Sequence, residues 1–175
     1  MAQNQIGPGK NAPEIIDVII EISPAEGPVK YEVCKDSNRL RVDRFLKTAM
    51  YYPCHYGYIP STLSDDGDPC DVLVLTPHNI MPGSIISARP LGMLVMEDEA
   101  GLDNKILAVP SDDITSEFQS VKSLDDLSPG VLEKLEHFFT HYKDLDSDKW
   151  VKVKEWQGYD EAIADIKSSI ANASQ

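Results

Sequence analysis

Ser128-Pro129-Gly130-Val131-Leu132-Glu133-Lys134-Leu135-Glu136-His137-Phe138-Phe139-Thr140-His141-Tyr142 is where the chain changes character. Ser128 and Pro129 form an N-cap followed by proline at the first helical position. Leu132, Leu135, Phe138, Phe139 and Tyr142 then recur every three or four residues, which predicts an amphipathic helix from about Pro129 to Leu145. After Gly158, Tyr159, Ala162, Ile163, Ile166 and Ile170 repeat in the same way and predict a second helix. The chain before Pro110 reads differently. Ile15–Ile22, Val29–Val33, Leu40–Val42, Val72–Leu75, Ile85–Pro90, Leu91–Met96 and Lys105–Val109 are short apolar or alternating runs separated by Gly, Pro, Asn and Asp, the pattern of strands and turns. Strands first and helices last predict an α+β protein with a twisted or closed β structure.

The 175 residues contain no repeat, low-complexity tract or linker, so residues 1–175 read as a single domain large enough to bury a core. The apolar fraction of 42% and charged fraction of 26% are those of a globular chain. With 29 acids against 16 Lys and Arg, the formal net charge is −13, which disfavours nucleic acid and anionic membrane as partners. The same field repels a small phosphate compound, so any phosphate chemistry needs bound cations or a local basic patch. Cys34, Cys54 and Cys70 are odd in number and not closely paired, which favours reduced thiols in a cytoplasm over a disulfide framework. The start of the chain has no basic segment leading into an apolar one, and no apolar run reaches the roughly 20 residues that span a bilayer.

Asp65-Asp66-Gly67-Asp68-Pro69-Cys70-Asp71 places four carboxylates within seven residues, in a turn just before the apolar run Val72–Leu75. Like charges this close are unfavourable unless cations screen them, and aspartate oxygens suit hard divalent ions. A solvated acidic turn is the alternative. An EF-hand frame fails, because Gly67 comes too early for its sixth position. Glu97-Asp98-Glu99-Ala100-Gly101-Leu102-Asp103-Asn104-Lys105 is a second acidic segment, between two predicted strands. Two such loops at strand ends are better explained by a shared site for several metals than by two solvated hairpins, since bridging carboxylates must come from different segments.

Lys30, Arg44, Lys105 and Lys143 could supply the positive charge a phosphate needs, and the phenols of Tyr52, Tyr56 and Tyr142 could donate to its oxygens. Surface lysines and packed tyrosines are the alternative for each. Met50-Tyr51-Tyr52-Pro53-Cys54-His55-Tyr56-Gly57-Tyr58-Ile59 is too dense in tyrosine for a simple half-buried strand and reads as a binding wall or an aromatic core. His137 and His141, one helical turn apart, read as core or subunit-interface residues. Gly7-Pro8-Gly9-Lys10-Asn11-Ala12 imitates a dinucleotide fingerprint, but no strand precedes it.

Taken together, these segments resemble the family I soluble inorganic pyrophosphatases over nearly the whole chain. The central match is Asp66-Gly67-Asp68-Pro69-Cys70-Asp71-Val72. Supporting matches are Val29-Lys30-Tyr31-Glu32, Val42-Asp43-Arg44, Tyr52-Pro53, Tyr56-Gly57-Tyr58, Asp98-Glu99-Ala100-Gly101 through Asp103 and Lys105, and His141-Tyr142-Lys143. Cys70 departs from the family, which usually has a bulky aliphatic there. The substitution leaves ligation alone and adds oxidation sensitivity if the thiol is reachable.

The resemblance implies a five-stranded OB-like β-barrel with flanking C-terminal helices. It implies hydrolysis of pyrophosphate to two phosphates by metal-activated water, driving biosynthetic reactions forward, with a magnesium-dependent nucleotide or polyphosphate hydrolase as the nearest alternative. Several Mg²⁺ ions are implied, with Mn²⁺ or Zn²⁺ as substitutes, in a cytoplasmic homohexamer. Carried over by position, Asp66, Asp71, Asp98 and Asp103 hold metal and Asp68 is the general base. Lys30, Arg44, Tyr56, Tyr142 and Lys143 bind the phosphates. Glu21, Glu32, Tyr52, Glu99 and Lys105 are further candidates.

Overall fold

A computed structural model of the chain describes residues 6–34 and 37–174. Residues 1–5, part of the segment read above for an export signal, lie outside the described residues. Among the described residues nine strands and two α-helices run in the order β1 (Ile16–Ile22), β2 (Val29–Cys34), β3 (Arg39–Phe45), β4 (His55–Tyr58), β5 (Asp71–Val74), β6 (Ile85–Asp98), β7 (Gly101–Leu102), β8 (Lys105–Pro110), α1 (Pro129–His141), β9 (Val151–Gln157) and α2 (Tyr159–Ala173).

Five strands close on themselves. β1 pairs β4, β4 pairs β5, β5 pairs β8, β8 pairs β6, and β6 returns to β1, all antiparallel except β5 with β8. This ring is the OB-like barrel of an α+β protein. β6 is long enough to serve twice: its first part completes the ring, and its second part carries β7 and β9 outside it. β2 and β3 form a separate two-stranded sheet.

Alternation along β5 and β8 builds two cores. Val72, Val74, Ile106 and Ala108 point to one side, where Ile16, Val18, Ile20, Ile86, Ala88 and Met93 join them and Ala162 and Ile166 of α2 pack in. Leu73 and Leu107 point to the other side and meet Leu135, Phe138, Phe139 and Tyr142 of α1. Buried on both faces, these two strands read as continuous apolar runs. Closure between β4 and β1 depends on Gly57, because a Cβ there would stand 2.1 Å from the carbonyl oxygen of Ile19.

Several boundaries differ from the sequence reading. The two runs on either side of Pro90 are one strand, β6, because a bulge between Pro90 and Gly92 absorbs the break in its pairing with β8. Helix α1 stops at His141, not near Leu145, as the chain passes into successive turns closed by Asp144 N–H to His141 O and Asp146 N–H to Lys143 O. Ser128 stands at the N-cap and Pro129 begins the helix, but the serine side chain makes no capping bond. The tyrosine-dense segment contains a true strand, β4, and β9 is a strand that the sequence reading omits. His137 is exposed and His141 half-buried, so neither is a core residue of this chain.

Candidate active site

Two β-bulges aim carboxylates into one cleft. Where β1 pairs β4 the register skips Glu21, and where β2 pairs β3 it skips Asp43. A bulged residue has no partner across the ladder, so its side chain is re-aimed. The Glu21 carboxylate accepts the Val33 N–H at 2.6 Å and so ties β2 to β1. Burial raises the Glu21 carboxyl to about 7. Asp43 accepts from Lys30 Nζ at 3.1 Å and from Arg44 at 3.1 Å. Lys30 also donates to Glu32.

On the opposite wall, β5 and β8 begin side by side, with Asp71 directly across from Lys105. The Lys105 ammonium donates to Asp71 Oδ2 at 2.5 Å, to Asp103 Oδ1, and to the Tyr56 phenol at 3.2 Å. Tyr56 in turn donates to Asp71 Oδ2 at 2.6 Å. Burial works against the charge on Lys105, yet Asp71 and Asp103 outweigh it and hold the ammonium well above its ordinary range. Burial pushes the Asp71 carboxyl up, and Lys105 opposes that rise. Tyr52, Tyr56 and Tyr142 are all raised by burial, so each phenol stays a neutral donor at neutral pH.

Lys143, just past α1, forms the third cluster. It donates to Asp98 at 2.8 Å and reaches Glu99 at 3.5 Å. Although burial pulls the other way, Lys143 and the Ala100 N–H hold Asp98 below the usual carboxylate range. In the Asp66–Asp68 turn, Gly67 takes a positive φ of 87°, open to glycine at little cost, and Asp66 Oδ1 accepts the Asp68 N–H at 3.0 Å. Burial raises the Asp66 carboxyl.

Glu21, Lys30, Glu32, Arg44, Tyr52, Tyr56, Asp66, Asp68, Asp71, Asp98, Glu99, Asp103, Lys105, Tyr142 and Lys143 thus line a single cleft of about 830 Å³. Every candidate from the sequence reading is among them. The same cleft contains Asp43 and Lys149, which that reading did not assign. Asp43 stands next to Arg44 in sequence, but the bulge that turns it inward has no sequence signature. Lys149 approaches Glu99 at 3.7 Å from the turns after α1, where no periodicity marks it.

Tyr52 is both wall and core: its ring lies 5.7 Å from Tyr56 and 4.8 Å from Phe138. Cys70 is 1% exposed, and burial pushes its thiol up, so it is an inert packing residue and not a reachable redox site.

Among the described residues no trio of His, Cys, Asp or Glu is drawn together around an ion, since the carboxylates turn toward lysines. The donor set nonetheless fits a divalent cation. Asp71 and Asp103, from different strand ends, already converge on one positive charge, the Lys105 ammonium, and their oxygens are the hard ligands such ions take.

A family model described as inorganic pyrophosphatase matches residues 18–174. The inorganic pyrophosphatase of Yersinia pestis is 51% identical over 173 residues, 99% of this chain and 99% of its own. That of Aquifex pyrophilus is 49% identical over 172 residues, 98% of this chain and 97% of its own. Among solved structures, an inorganic phosphatase of Anaplasma phagocytophilum superposes with a TM-score of 0.95 at 48% identity, covering 97% of this chain and 99% of its own. The inorganic pyrophosphatase of Thermus thermophilus superposes at 0.92 with 36% identity, covering 98% of each.

Proposed function

We propose a division of labour within this cleft from one premise: the chain belongs to the inorganic pyrophosphatase family and hydrolyses pyrophosphate to two phosphates. The family implies a divalent metal, and magnesium is the ion we assign. Asp66, Asp71, Asp98 and Asp103 would hold it, with Glu21, Glu32 and Glu99 as outer contacts. When bound, such ions acidify water and neutralise phosphate charge. The observation that carries this reading is the convergence of Asp71 and Asp103 on a single cation.

Asp68 takes the proton of the attacking water as general base. It lies on the open turn at the mouth of the cleft, where a carboxylate can reach a solvent molecule. Lys30, Arg44 and Lys143 approach from the other sides and bind the phosphate oxygens, Arg44 with a two-pronged guanidinium. The neutral phenol of Tyr142 donates to the same oxygens, that of Tyr56 would join it on release from its bond to Asp71, and Tyr52 buttresses Tyr56. Lys105 donates to both Asp71 and Asp103 and so keeps the two side chains near one another. These donors neutralise the charge that grows on the departing phosphate as the bridging P–O bond breaks.

The working form is a cytoplasmic homohexamer, a reading that rests on the resemblance. Its support here is apolar surface that an assembly could cover, with Phe45 67% and Met81 77% exposed. Among the described residues no helix is long and apolar enough to cross a membrane. The net charge of −13 speaks against nucleic acid as a partner.

Phosphate release from pyrophosphate, with Mg²⁺ or with chelator and beside ATP and tripolyphosphate, tests the assignment. Turnover confined to pyrophosphate and abolished by chelator is expected. Faster cleavage of ATP would keep the cleft but change its substrate. Asp68→Asn should lower kcat by ~100-fold while calorimetry still detects binding of Mg²⁺ and pyrophosphate. Loss of Mg²⁺ binding in that variant would make Asp68 a ligand and not the base.

A further inference from the structure

The parallel ladder between β5 and β8 begins at Asp71 and Lys105. The segments just before it, which carry Asp66, Asp68 and Asp103, lie beyond its first rung, where Lys105 and the Asp103 N–H bond to the Met96 carbonyl are joined by a further restraint. One face of α2 supplies that further restraint. Asp165, Ser169 and Asn172 are spaced i, i+4 and i+7 and so lie along one side of the helix.

Asp165 reaches both segments at once. Its Oδ1 accepts from Asn104 Nδ2 at 3.0 Å, and its Oδ2 accepts from the Cys70 thiol at 3.9 Å. Asn104 lies between Asp103 and Lys105, and Cys70 immediately precedes Asp71. Further along the face, the Ser169 carbonyl accepts the Leu63 N–H at 2.8 Å, and Asn172 Nδ2 donates to the Leu63 carbonyl at 3.3 Å. The Ser169 and Ser64 hydroxyls stand 3.4 Å apart. Ser64 N–H in turn donates to the Asp68 carbonyl at 2.8 Å, closing the turn that carries Asp66 and Asp68. A cavity of about 50 Å³ lined by Asn104, Asp165, Ser169 and Asn172 lies beside these bonds, while Ala162 and Ile166 of the same helix pack into the core that holds Cys70.

We propose that this face of α2 is a positioning element for the metal-holding carboxylates, with Asp165 acting beside Lys105 to hold Asp71 and Asp103 at a working separation. The proposal rests on the reading of those two aspartates as metal ligands. Asp165 lies outside the lining of the catalytic cleft; it acts through the side chains of Asn104 and Cys70, whose backbones carry Asp103 and Asp71. Outer-sphere residues of this kind set how well a site is formed before the ion arrives.

Calorimetric titration of the full chain with Mg²⁺ alone tests it, beside kcat and KM for pyrophosphate. Asp165→Ala should weaken Mg²⁺ binding about tenfold and raise the magnesium needed for turnover, with little change in KM for pyrophosphate. Asp165→Asn, which can still accept from Asn104, should stay within about threefold of the parent. Unchanged Mg²⁺ affinity in a folded Asp165→Ala chain overturns the proposal. If that chain does not fold, Asn104→Ala removes the same bond from the other end, and it should reproduce the tenfold loss. An Asn104→Ala chain with parental Mg²⁺ affinity overturns the proposal equally. Asp71→Ala separates the two levels: Mg²⁺ binding retained there sinks the ligand reading beneath the proposal. Binding lost there but kept in Asp165→Ala sinks the positioning role alone.

Discussion

The two walls of the cleft are built to different rules. One wall belongs to the closed ring: Tyr56, Asp71 and Lys105 stand on strands paired on both edges, and Lys105 is 2% exposed. The other is the β2–β3 hairpin, two strands forming a sheet of their own, whose Lys30, Glu32, Asp43 and Arg44 pair with one another in contact with water. A group on the ring is held by the whole fold, whereas a group on the hairpin is held by its neighbours and by the Glu21 bond to Val33. The ring side therefore suits ligands that must not move, and the hairpin side suits donors that close on a small anion.

The contrast is broken most severely at ring closure. Gly57→Ala places a methyl against the Ile19 carbonyl, and unfolding followed by circular dichroism should show a loss of ~4 kcal/mol or more, or no folded chain. No comparable clash awaits most hairpin substitutions, which should leave the melting temperature nearly unchanged. Next comes the ligand wall: Asp71→Ala should lower kcat by roughly a thousandfold in phosphate-release assays. Glu32→Ala on the hairpin should cost far less, and equal losses would erase the distinction between the walls.

Glu21 joins the two walls, and its titration sharpens the comparison. Its folded value of about 7 lies above the ordinary 4.5, so the protonated form favours the folded state. That contribution is complete below about pH 4.5 and is lost as the pH rises through about 7. Glu21→Gln, which stays neutral and can still accept from Val33, should exceed the parent by ~3 kcal/mol at pH 8 in metal-free urea denaturation. At pH 4 the two should coincide; a difference independent of pH would mean that shape and not charge matters there. The smallest effect is expected at Arg44→Lys, which keeps the charge and loses the fork. KM for pyrophosphate should rise about tenfold with kcat nearly intact.

Much of the ring wall was legible in the sequence because burial on both faces writes itself as unbroken apolar runs, as in Val72–Leu75 and Lys105–Val109. The helices were legible for the same reason, through Leu135, Phe138 and Phe139 and through Ala162 and Ile166. Their packing partners were not, since nothing local in Asp71 and Lys105 says that β5 and β8 run side by side in parallel. β4 escaped notice because its tyrosines serve as core and cleft at once and Gly57 interrupts its pattern. β9 escaped because Val151, Val153 and Trp156 alternate irregularly with exposed Lys152, Lys154 and Glu155, as suits a strand with only one buried face. The site residues came from motif order, which supplies a list but no geometry. Bulges at Glu21 and Asp43 are properties of paired strands, so the hairpin's internal pairing emerged only from the fold.

Closing five strands into a ring also settles how the molecule behaves beside its own copies. Inside the ring every ladder is satisfied, so no open backbone edge remains there to recruit another chain. The lateral growth of the sheet through β6 ends at β9, where exposed Lys152 and Lys154 place charges on the outermost strand. Charge on β9 thus guards against edge-to-edge aggregation at an edge that lies outside the closed ring.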